Sequence, residues 1–78
     1  MSKAKIKDLL SKIEALVIAI PREQAAYEFY TDLIALYEDQ PSREMFEYLA
    51  KQELHHKAKL ESILKRLEGE LEEARKEK

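Results

Sequence analysis

Apolar residues recur along this chain with a seven-residue period, in two blocks separated by a short polar break. In the first block Ile6, Ile13, Ile20, Tyr27 and Ile34 form one series, and Leu9, Leu16, Glu23, Tyr30 and Tyr37 form a companion series offset by three. In the second block Phe46, Glu53, Leu60, Leu67 and Ala74 are followed at the same offset by Leu49, His56, Ile63 and Glu70. Two such interleaved series put a single stripe along one side of a helix, the pattern of a helix that buries its seam in a bundle. The break is Glu38-Asp39-Gln40-Pro41-Ser42, the one turn-like cluster in a sequence with a single Gly and two Pro. The pattern therefore predicts an all-α fold, an antiparallel two-helix hairpin with helix one over about residues 4–38 and helix two over about residues 41–74. Pro41 suits the first turn of helix two, where its missing N–H has no intrahelical partner, with Asp39 or Gln40 as the cap. Pro21 lies inside helix one and predicts a kink or break near residues 17–21, because proline removes a backbone donor and crowds the preceding turn.

The informative members of the two stripes are the polar ones. Helix one has Glu23, and helix two has Glu53, His56 and Glu70. Near the end of helix two the register drifts toward Leu71, so Glu70 is expected to face solvent. A hairpin turning near residue 39 or 40 pairs residues whose numbers sum to about 78 to 80, which puts Glu23, Glu53 and His56 in one layer. Ile20 with Leu60 lies on one side of that layer, and Tyr27 or Tyr30 with Leu49 on the other. A carboxylate on such a seam protonates, pairs or binds a cation. Residues three apart on a helix share a face, so Glu53 and His56 can hold one metal ion together. Two helices supply three ligands, and a two-fold copy supplies three more, the donor set of a di-iron or di-manganese carboxylate centre in a four-helix bundle. Oxygen-rich ligation with some imidazole suits iron, with manganese as the alternative, better than zinc. The competing reading is a polar layer that only sets register and partner number.

Composition narrows the partners. At 78 residues the chain is a single domain at the lower limit of what one core can stabilise, so a second copy or a metal is expected to complete it. Cysteine is absent, which removes disulfides, iron–sulfur clusters and cysteine-ligated zinc. The 14 basic and 16 acidic residues are interspersed at a net charge of -2, leaving no footprint for nucleic acid or an anionic membrane. The longest strongly apolar run, Ala15 to Ile20, is too short to span a bilayer, and no signal-peptide pattern precedes it. A cytoplasmic protein is the expectation.

The stretch Ala19-x-x-x-Glu23-x-x-Ala26-x-x-Phe29-Tyr30, followed by Leu49-Ala50-x-x-Glu53-x-x-His56, resembles the rubrerythrin branch of the ferritin-like superfamily over roughly residues 13 to 67. Within that branch the thirty-residue spacing from Glu23 to Glu53 and the Phe29-Tyr30 pair look most like the encapsulated ferritins. The resemblance implies a two-helix chain that dimerises into a ferritin-like four-helix bundle and completes a ferroxidase centre at the subunit interface. It further implies assembly into rings of dimers and residence inside an encapsulin shell. Glu23, Glu53 and His56 would be the iron ligands, with two iron ions per dimer interface, and Tyr30 would lie beside the centre as a further catalytic residue. Two departures stand out. The second bundle half and cysteine-rich iron domain of rubrerythrins are missing, and the C-terminus from Glu72 to Lys78 carries no apolar cargo peptide.

The leading functional expectation is a ferroxidase that oxidises Fe(II) to Fe(III) for iron storage or detoxification. A rubrerythrin-like peroxide reductase and a non-enzymatic helical oligomer are the alternatives. Around the layer, Gln24 and Gln52 are candidate hydrogen-bond partners of the ligands or plain surface residues. His55 is expected to face solvent or to serve an outer metal position. Tyr37, Tyr48 and Phe46 read as packing, and Glu28, Glu47 and Glu61 as solvated faces.

Overall fold

The computed structural model describes residues 3–76. They form two antiparallel helices, α1 over Lys3–Ile34 and α2 over Gln40–Lys76, in a rod measuring 61 × 14 × 12 Å. The all-α hairpin expected from the periodicity is the observed fold.

The start of α2 is set locally. Asp39 is the cap: its Oδ2 accepts the Ser42 backbone N–H at 2.9 Å, and its carbonyl accepts the Arg43 N–H at 3.2 Å. One of the donors that open the helix, the Ser42 N–H, is satisfied by the cap, and Pro41 occupies a position that needs no donor. Gln40 Nε2 donates to Glu44 Oε1 at 3.1 Å across the same turn. This cap requires the chain to have reversed already, and α1 accordingly ends at Ile34 rather than near residue 38. Its last turn is tightened by bonds from Leu36 N to the Leu33 carbonyl at 3.0 Å and from Tyr37 N to the Ile34 carbonyl at 3.4 Å. Among the described residues none has a positive φ, so the reversal needs no glycine.

Pro21 does not break α1, which is continuous across it. The carbonyl deprived of a partner is that of Val17, and both Val17 and Pro21 are exposed, so water can satisfy it. Packing of Leu16 on one side and of Glu23, Gln24 and Tyr27 on the other holds both halves of α1 along α2.

Burial concentrates at the end of the rod away from the turn. Leu9, Leu67, Leu71 and Ala74 form the core cluster, with Ile6, Ile13, Leu16 and Ile63 packed against it. Leu71 and Ala74 are buried and Glu70 is exposed, as the register drift predicts. At the turn end the rings of Tyr30 and Phe46 stack at 6.4 Å and those of Tyr37 and Phe46 at 5.3 Å. Large apolar side chains on both helices stay exposed, among them Val17, Phe29, Met45 and Tyr48 at 52–59% of their surface. No helix is long and apolar enough to cross a membrane.

Two substitutions test this account by thermal or denaturant unfolding followed by circular dichroism. Leu67→Ala empties the centre of the core cluster and is expected to cost about 2–5 kcal/mol, a large part of what a domain of this size has. Gly69→Ala should stabilise by about 1 kcal/mol, because a Cβ there meets nothing within 4 Å and the position is mid-helix.

Candidate metal centre

The two helices bring Glu23, Glu53 and His56 together midway between the core cluster and the aromatic cluster. Glu23 comes from α1, and Glu53 and His56 come from α2, three residues apart and therefore on adjacent turns of one face. One ligand atom from each lies within 4.8 Å of the others. Glu23 Oε2 is 3.7 Å from His56 Nδ1. Metal–oxygen and metal–nitrogen bonds of about 2.0–2.2 Å put neighbouring ligand atoms roughly 3–4 Å apart, so small side-chain rotations would close the group around one ion. Glu23 and Glu53 are half-buried, while the His56 side chain keeps 57% of its surface exposed. The group is lined on one side by its own helices and open on the other.

The two carboxyl groups interact directly. A hydrogen bond with Glu23 raises the Glu53 carboxyl above the ordinary carboxylate value, and partial burial and repulsion from the Glu23 charge push the same way. His56 opposes them. A cation between the two carboxylates would neutralise the repulsion that raises Glu53.

Beside this layer Lys57 Nζ donates to Gln24 Oε1 at 2.8 Å, and Gln24 Nε2 donates to Glu28 Oε2 at 2.9 Å. Gln24 is thus bound to the neighbouring helix through Lys57 and to its own helix through Glu28. Lys57 is the residue the heptad count overlooks. Its signal lies in the 3.6-residue drift of α2, which places it on the buried or half-buried series Ala50, Glu53, Lys57, Leu60, Leu64, Leu67. Gln52 is half-buried. His55 is exposed and borders a shallow groove on α2 with Lys51, Leu54 and Ala58, apart from the Glu23–Glu53–His56 group. Tyr30 follows Glu23 by two turns of α1, about 10 Å along the axis, and its ring packs on Phe46 and, at 5.6 Å, on Phe29.

Two carboxylates and an imidazole suit iron or manganese, and the repulsion between the carboxylates marks the charge such an ion would balance. Comparison with protein families finds that the rubrerythrin family model matches residues 14–78. Neither the curated proteins nor the solved structures contain a significant match. Through residues 14–78 the chain belongs to the rubrerythrin family, which implies a di-iron carboxylate protein with Glu23, Glu53 and His56 as its candidate metal group.

Proposed function

We propose that the chain is a ferroxidase in which two copies pair into a four-helix bundle and set two Glu23–Glu53–His56 groups face to face, with Fe(II) as the substrate. The observation that carries this reading is a ligand group gathered within 4.8 Å yet open on one side at His56. One hairpin offers three donors, and a two-fold partner offers the same three again, the complement of a di-iron carboxylate site. The apolar side chains left exposed, Val17, Phe29, Met45 and Tyr48 among them, are surface for such a pairing to cover.

Each residue has a separate task. Glu23 and Glu53 attract Fe(II) and, as hard oxygen donors, favour the more highly charged Fe(III) product as electrons pass to dioxygen. A bound cation favours the ionised form of Glu53, against the neighbouring Glu23 charge that disfavours it. His56 binds as neutral imidazole. Tyr30, in the aromatic cluster two turns away, would act from beyond the ligands. When bound, iron supplies the one-electron chemistry that none of these side chains provides.

Iron storage would need an enclosing shell such as an encapsulin, around a dimer or a ring of dimers, since a rod 14 × 12 Å in section encloses nothing. Manganese would satisfy the same donors. Family membership supports a second reading, reduction of peroxide, for which a chain without cysteine needs an external electron donor.

Anaerobic Fe(II) loading followed by air tests the first reading. A pair of ions per dimer by native mass and metal analysis, and oxidation above the buffer rate, are expected. Iron-loaded protein that reacts with peroxide and not with dioxygen would favour the second reading instead. Glu23→Ala, Glu53→Ala and His56→Ala should each weaken binding by ~100-fold or more, given that losing even an outer partner of a ligand costs ~10–100-fold.

A pH series gives an independent check. Because the Glu53 carboxyl is raised in the folded chain, the protonated form stabilises the metal-free fold below the ordinary value of 4.5, and that contribution is lost as pH rises through the raised value. Metal affinity should run the opposite way, falling as pH drops through the same window. Glu53→Gln should remove the step from the unfolding profile of the metal-free protein.

A further inference from the structure

Resting on the site reading above, we infer that Gln24 and Lys57 are positioning residues that clamp α1 to α2 at the height where the metal ligands meet. Each sits next to a ligand in sequence: Gln24 follows Glu23 on α1, and Lys57 follows His56 on α2. Their 2.8 Å hydrogen bond is part-buried and joins residues 33 apart. An ammonium donor to a carbonyl oxygen makes a short, charge-assisted bond, stronger than one between neutral groups. Gln24 is itself fixed by the 2.9 Å bond from its Nε2 to Glu28, so its carbonyl oxygen is aimed at α2 rather than free to rotate.

The clamp meets a need of this particular layer. Metal ligation tolerates little sliding of one helix past the other, because Glu23 must reach both Glu53 and His56 from the opposite helix. The large buried side chains lie at the core cluster far from the turn, and the buried residue nearest the layer, Ala50, offers only a methyl group, so the layer lacks a large apolar contact of its own to set axial position. The Gln24–Lys57 bond supplies that constraint one residue from two of the three ligands. It also holds the Lys57 ammonium on an amide oxygen, leaving the carboxylates to an incoming cation.

The test is Co(II) binding to the full chain, read by titration and by the visible absorption of the bound ion, which reports ligand number and geometry. Gln24→Leu and Lys57→Met are each expected to weaken Co(II) binding by ~10–100-fold, the range for partners just outside the ligands, and to change the spectrum. The double variant should be no worse than either single one, since both remove the same bond. Lys57→Arg keeps a donor for Gln24 and should restore most of the affinity together with the parent spectrum. Circular dichroism and native mass confirm that variants are compared in the same folded state. If the single variants bind Co(II) with the parent's affinity and spectrum, or their losses simply add in the double variant, the clamp is overturned and the site reading stands. If the parent chain binds no Co(II), the site reading falls and the clamp falls with it.

Discussion

A helix in a hairpin has one neighbour, and that constraint governs everything else in this molecule. Each helix can hide a single stripe against the other, so a rod 61 Å long keeps most of its surface in water, and no described side chain is completely buried. The largest packed groups lie at the two ends, in the Leu9–Leu67–Leu71–Ala74 cluster and in the stacked rings of Tyr30, Phe46 and Tyr37. These clusters bracket the polar layer. They hold the helices at packing distance, which makes the approach of two like-charged carboxyls tolerable in between.

The layer itself is a compromise between charge and burial. Glu23 and Glu53 are half-buried, enough to raise the Glu53 carboxyl through its contact with Glu23 but not enough to exclude water. Full burial would make the metal-free form very costly, whereas full exposure would weaken the field that draws a cation. On its open side the His56 side chain stays exposed. Membership of the rubrerythrin family gives the group a chemical meaning, since the family implies a di-iron carboxylate protein.

The two prolines show how context changes the meaning of a residue. Pro41 sits in the first turn of α2 beside the Asp39 cap and behaves as its type suggests. Pro21 lies where a kink or break is expected, yet α1 passes through it, because Val17, whose carbonyl it strips of a partner, is an exposed residue that water can reach, and the flanking turns stay packed on α2. Local preference disfavoured helix at one point, and tertiary contact on both sides overrode it.

The sequence by itself determined that the chain is two helices, which apolar residues line most of the seam, where α2 begins, and that Glu23, Glu53 and His56 share a level. All of these follow from period and spacing, which depend only on the pitch of a helix and the position of one turn. Tertiary structure alone decided that α1 survives Pro21, that it stops at Ile34 to let Asp39 cap its successor, and that Lys57 reaches across to Gln24. Each of these depends on what lies opposite a given backbone or side-chain atom. Periodicity along one chain cannot express that, because it is set by the rotation and sliding of one helix against the other.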